Sequence, residues 1–117
     1  NIIDGVGFSI TKLSAFEISH LKGDAKHRSE LCNLYIRENM NDFKTIILPT
    51  PKEFIRKDLR LTVDYPEDLI VCRKIFSYFR DKAPKIPIKD IVKFLDMNPD
   101  LKKLIEPFTE IGYSTMY

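Results

Sequence analysis

The sequence predicts a mixed α/β fold, in a single domain covering residues 1–117. Three observations predict it. Apolar residues alternate in short stretches, apolar stripes recur at helical spacing in longer ones, and the two kinds of segment are interleaved along the chain. The order is strand, two helices, two strands, then two or three helices.

The first strand falls near residues 5–10, where Val6, Phe8 and Ile10 alternate with polar or small positions and Gly5 and Gly7 permit a bend or a close backbone approach. Leu13, Phe16 and His20 then recur at helical spacing, and Lys22-Gly23-Asp24 supplies a stop and a cap for the next segment. That segment is an amphipathic helix from Ala25 to Asn39, with Leu31, Leu34 and Tyr35 on one face. Phe43 to Leu48 is rich in strand-forming residues and ends at Pro49-Thr50-Pro51. Leu59, Leu61 and Val63 alternate with Arg60, Thr62 and Asp64, the pattern of a strand with one buried face. After Pro66, the stripe Leu69, Cys72, Ile75, Phe76 and Phe79 marks a helix running to about Lys82, with Phe76 and Phe79 inward and Tyr78 to one side. Ile88, Ile91, Val92 and Leu95 mark another, and Asn98-Pro99 opens a last one carrying Leu101, Leu104 and Ile105. Beyond Pro107 a loop is expected.

Each helix has one apolar face, and two or three strands cannot cover them all, so some apolar surface is expected to pack on a missing amino-terminal half or a second copy. The chain starts at Asn1 and reads as part of something longer, without a secretion signal. Hydrophobic residues make up 44% and charged residues 31%, values of a soluble chain, and no apolar run is long enough to span a bilayer. A net charge of +2 argues against a nucleic-acid partner. Cys32 and Cys72 are far apart and form no Cys-x-x-Cys pair, which fits reduced thiols on the apolar sides of helices in a cytoplasmic setting. His20, His27 and Cys32 match no zinc spacing.

The eleven residues 59–69, Leu-Arg-Leu-Thr-Val-Asp-Tyr-Pro-Glu-Asp-Leu, resemble the signature near the carboxyl end of the cytidylyltransferases that act on 3-deoxy-octulosonate, acylneuraminate and spore-coat polysaccharide sugars. Arg28-Ser29-Glu30 and Tyr35-Ile36 are similar to the Arg-Glu-His-Val-Thr-x-Tyr-Ile helix of that family, Asp4-Gly5 to its preceding strand, and Asp90-Ile91 and Asn98-Pro99-Asp100-Leu101 to its closing helices. Leu31-Cys32-Asn33 departs from the family's His-Val-Thr, Val6-Gly7-Phe8-Ser9 lacks an expected acidic residue, and the loop that cradles the triphosphate is absent. The resemblance implies the carboxyl-terminal portion of a nucleotide-diphospho-sugar transferase-like mixed sheet flanked by helices. It also implies transfer of CMP from CTP to an acidic or polysaccharide-precursor sugar, with Mg²⁺ as cofactor, no membrane partner, and a homodimer. Turnover is not expected from this portion alone.

The resemblance makes Asp64 the metal ligand, at a strand end where a carboxylate and phosphate oxygens can share Mg²⁺. Spacing alone offers another role, since Asp64 with Glu67 and Pro66 also forms a good helix start. Arg28 and Glu30 are candidates for holding a sugar carboxylate and hydroxyls, or else lie on a solvated face. Arg60 is a candidate for phosphate or sugar, or else an exposed strand arginine. Lys52, Arg56, Lys57 and Arg60 form a basic cluster that could steer an anion, or simply be solvated loop charge. An interaction module with no transferase chemistry is the competing reading.

Overall fold

A computed structural model describes residues 2–116, with side chains as far as residue 112. It overturns the α/β expectation: 57% of the chain is helical, and no strand or sheet forms among the described residues. The segments with strand-like alternation are extended but find no partner to complete a ladder. Residues 43–48 run without secondary structure, and residues 59–63 contribute one isolated parallel bridge, between Asp4 and Arg60. Period-two patterning reports which side chains a segment is able to bury, whereas a sheet also requires neighbouring backbone.

Two compact units are present, Asn1–Gly7 with Thr50–Tyr117, and Phe8–Pro49. The first is built on helices α3 (Pro66–Tyr78), α4 (Ile88–Asp96) and α5 (Pro99–Met116), with α5 packed against both others. Its core joins Ile3 and Leu59 to Val71 and Ile75 of α3, Val92, Phe94 and Leu95 of α4, and Ile105 of α5. Pro66 starts α3 because a missing N–H costs nothing in the first turn. The buried face of α3 is Asp68, Val71 and Ile75, while Leu69, Phe76 and Tyr78 are exposed and Phe79 is half-buried. The expected stripe was therefore rotated about the helix, because alignment with α5 selects the row through Val71 and Ile75.

Helix α5 continues through Pro107 where a loop was expected. An interior proline costs about 3 kcal/mol through a lost hydrogen bond and ring crowding. Against that cost, Ile105, Thr109 and Gly112 continue a buried row along the unit, and the Thr109 hydroxyl donates to the Glu106 carbonyl at 2.8 Å. In the same unit, Ile3 donates to the Phe54 carbonyl at 3.0 Å and Leu61 to the Asp4 carbonyl at 2.8 Å. Gly5 then turns the chain with φ +85°, and a side chain there would meet the Leu61 backbone at 2.6 Å. The close approach read from that glycine is present, in a turn rather than a strand.

The second unit contains α1 (Leu13–Lys22) and α2 (Leu34–Glu38), which pack together. The long helix expected over 25–39 is broken into a 3₁₀ turn, Ala25–His27, and the short α2. A reciprocal cap explains the break: the Asp24 side chain accepts from Lys26 N–H at 3.0 Å and His27 Nδ1 accepts from Asp24 N–H at 2.9 Å. These local bonds satisfy the turn without continuing it as an α-helix. His27 Nε2 also contacts Glu38 at 2.8 Å, and its ring meets Tyr35 edge-on. Both cysteines are exposed, Cys32 in the turn before α2 and Cys72 on α3, so neither is on a buried face. No helix among the described residues is long and apolar enough to cross a membrane.

Candidate functional site

Arg60 is the centre of the most concentrated polar cluster in the first unit. Its side chain is 2% exposed, against the sequence reading of a solvent-facing strand arginine. Leu59 and Arg60 are both buried because the extended segment has protein on each side: Leu59 joins the core and Arg60 enters a ring of carboxylates. The guanidinium Nε donates to both oxygens of Asp68 at 3.1 and 3.2 Å. Nη1 donates to Asp4 Oδ2 at 3.0 Å, and Nη2 to Asp64 Oδ2. The guanidinium carbon lies 5.4 Å from the centre of the Tyr65 ring, which stacks on Phe108 at 4.2 Å. Gly112 of α5 closes over the pair, since a side chain there would come within 2.5 Å of Asp4 Oδ2 and 2.6 Å of Arg60 Nη1.

Asp68 does a second job. Its Oδ2 accepts the backbone N–H groups of Asp64 and Tyr65, each at 3.0 Å, and so satisfies the start of α3. Tyr65 is therefore the cap residue before Pro66, with Asp68 reaching back, and the capping role read into Asp64 and Glu67 belongs to Asp68. Asp68 and Asp4 are the functional residues that spacing missed. A signal for Asp68 existed, because an acidic residue at the third position of a helix opening with proline is suited to reach back to preceding amides. For Asp4 nothing in the local pattern showed that it meets Arg60, 56 residues away.

Electrostatics follow from these contacts. Burial pushes the Asp4 carboxyl above its ordinary value; Arg60 pulls the other way, while the charges of Asp64 and Asp68 add to the rise. Asp4 Oδ1 is buried and has no well-aligned hydrogen-bond partner among the described residues, although the Gly5 amide lies near enough to favour ionisation. For Arg60, burial opposes the charge, yet the Asp68 hydrogen bonds and the three carboxylate charges together raise its pKa. Three carboxylates face one guanidinium, so the fully ionised cluster has excess negative charge.

Asp64 is the one member that reaches solvent, with 59% of its side chain exposed. Its Oδ2 accepts from Arg60 and, at 3.2 Å, from the Thr62 hydroxyl. No described residue donates to its Oδ1. Mg²⁺ takes one or two carboxylates and completes its octahedron with waters and substrate phosphates. Asp64 has the exposure such a ligand needs. Among the described residues no group of three His, Cys, Asp or Glu side chains is arranged to hold a metal.

Arg28 and Glu30 lie in the second unit and are not on a helix: Arg28 follows the Ala25–His27 turn, and Glu30 is exposed in the irregular stretch before α2. The Arg28 guanidinium donates to the His20 carbonyl at 3.1 Å, near the end of α1. With His20, His27, Ser29 and Cys32 it lines an open depression of about 330 Å³. The basic cluster read from the sequence is divided by its partners. Arg56 pairs with Asp58 and Asp96, which holds both carboxyls below their usual range, and Arg60 is buried.

The chain is 31% identical over 104 residues to an uncharacterized protein of the archaeon Methanocaldococcus jannaschii. That match takes in 89% of this chain but spans 42% of the relative's length. No protein-family profile matches the chain. No solved structure matches it either.

Proposed function

We propose that the chain is the carboxyl-terminal part of a cytoplasmic, magnesium-dependent cytidylyltransferase that joins CMP from CTP to an acidic or polysaccharide-precursor sugar. One observation carries this reading: in the segment 59–69 that resembles the family signature, Asp64 presents an exposed carboxylate with one oxygen anchored by Arg60 and Thr62. The excess negative charge around Arg60 favours a cation there even with the guanidinium alongside.

In the reaction, the sugar's anomeric hydroxyl oxygen forms a bond to the α-phosphorus of CTP as its proton passes to solvent, and the bond to pyrophosphate breaks. Bound Mg²⁺ supplies neutralisation of charge on the phosphate oxygens. Asp64 would hold that cation through its exposed carboxylate. Within the second unit, Arg28 lines an open depression that suits an anionic group such as a sugar carboxylate, and Glu30 lies outside that lining. The triphosphate loop of the family is not in this sequence, so turnover requires a longer protein, in keeping with a relative more than twice as long as the matched stretch. In the full-length protein, pyrophosphate release from CTP with Mg²⁺ and an acidic sugar is the measurement to make. Asp64→Asn is expected to abolish it, and undiminished release removes Asp64 from the mechanism.

A second reading, an interaction or dimerisation module, is favoured by a different observation. In the second unit Phe8, Ile10, Ile46 and Ile47 are each more than three-quarters exposed, an apolar surface of the kind that pairs with another chain. Self-association by light scattering fits both readings, since the transferase reading also implies a homodimer, and a self-associating full-length protein without CTP-dependent activity supports the module.

A further inference from the structure

We infer that Arg60 is a positioning residue for the Asp64 carboxylate, held in place by two buried aspartates, rather than a group that touches substrate. The inference rests on the metal-ligand reading of Asp64 for its purpose, though its geometry stands independently.

All three nitrogens of the guanidinium are engaged within the protein. Nε is used by Asp68, Nη1 by Asp4 and Nη2 by Asp64. The side chains of Asp4 and Asp68 are 1% and 0% exposed, so two of the three partners are fixed inside the fold. Tyr65 lies against the guanidinium, and Phe108 lies behind Tyr65. An arginine fastened at two nitrogens and pressed on one side has no freedom to swing toward a ligand. Its third nitrogen, Nη2, donates to Asp64, the most exposed of the three carboxylates.

A planar guanidinium suits this task because its donors diverge in fixed directions. Two of those directions are consumed by anchors, and the third sets the orientation of Asp64. The Thr62 hydroxyl meets the same oxygen, Oδ2, so both contacts leave Oδ1 for a cation. Partners behind a metal ligand that fix its orientation typically contribute about 10–100-fold to metal affinity. A lysine in place of Arg60 keeps the charge but cannot reach three carboxylates along separate directions.

The test uses the whole 117-residue chain in solution and three NMR readouts. In the unaltered protein, Arg60 is expected to show separate, slowly exchanging Nη proton signals, and Asp64 χ1 couplings of a single rotamer. Addition of Mn²⁺ alone is expected to broaden the amides around Asp64. In Arg60→Lys, the Asp64 couplings average and about tenfold more Mn²⁺ is needed for the same broadening. Averaged Nη signals in the unaltered chain, or an Asp64 rotamer unchanged in a folded Arg60→Lys variant, overturns the positioning role. The first of these needs no variant, so the proposal stays exposed even when Arg60→Lys does not fold. If Asp64 is ordered by Arg60 as described but Mn²⁺ broadens nothing near it, the positioning role stands and the metal reading fails.

Discussion

The two units of this chain are held together by different means. The first has a continuous apolar core, from Ile3 to Ile105, and a buried ion-pair cluster beside it. In the second, Ser19 is the only described residue that is buried, and order comes from local polar clips: Asp24 with His27, Lys26 and His27 with Glu38, and Arg28 with the end of α1. A region that buries apolar side chains resists perturbation at the surface but is sensitive inside. A region assembled from exposed hydrogen bonds has little stability to lose at any one position, and its short helix α2 is well below the length at which isolated helices persist.

The comparison is broken most directly at Arg60. Arg60→Met leaves Asp4 and Asp68 buried without their counter-charge, and loss of one partner from such a pair costs about 3–5 kcal/mol. Urea unfolding checks it, and a change under 1 kcal/mol contradicts the account of the first unit. Next comes Leu95→Ala, at a fully buried position in α4, expected to cost about 2–5 kcal/mol. The matched change in the second unit, Leu13→Ala at a position 73% exposed, is expected to stay within about 0.5 kcal/mol. Equal effects from the two leucines would remove the contrast.

Asp24→Ala sharpens it from the other side. Loss of that cap is expected to weaken the second unit by about 1 kcal/mol. Amide exchange is predicted to accelerate over residues 24–38 with little change in the first unit, and uniform acceleration across the chain would mean that the units unfold as one.

The smallest effect is on acid stability. Asp58 is held low chiefly by its hydrogen bond from Arg56, so it contributes stability above its ordinary value of 3.8 and loses it as pH falls below that. Asp4, raised by burial, acts in the opposite direction: its stability contribution falls as pH rises past 3.8, because the folded state retains the proton longer than the unfolded chain. Below about pH 4, Asp58→Asn is therefore expected to lose less stability on acidification than the parent, whereas Asp4→Asn is expected to lack the gain that the parent makes as pH falls toward 3.8. Thermal melts between pH 3 and 7 measure both, and parallel curves contradict the assignment.

Helix positions were legible where apolar spacing met a clear start, as at Pro66, Ile88 and Pro99, since those signals are local. The α/β class was not, because alternation along residues 43–48 and 59–63 says nothing about whether a neighbouring strand exists. Asp64 was singled out as a carboxylate at a strand end, and it lies instead in a bend before α3, exposed and paired with Arg60. The rest of its setting was not legible: Arg60 gave no sign of burial, and Asp4 gave no sign of meeting it, since a contact between distant positions leaves no trace in spacing. In the second unit, the amphipathic pattern over 25–39 was read as one helix because the competing bond between Asp24 and His27 is invisible to periodicity.

Gly112 connects the far parts of this account. With only a hydrogen at that position, α5 can settle onto Asp4 and Arg60 and keep water from them. During folding Asp4, Arg60 and α5 have to meet before that charge cluster is sealed, so the arginine stays wet and unfinished until α5 has docked. A methyl group at 112 would leave every hydrogen-bonding group of the cluster present and still hold the door open.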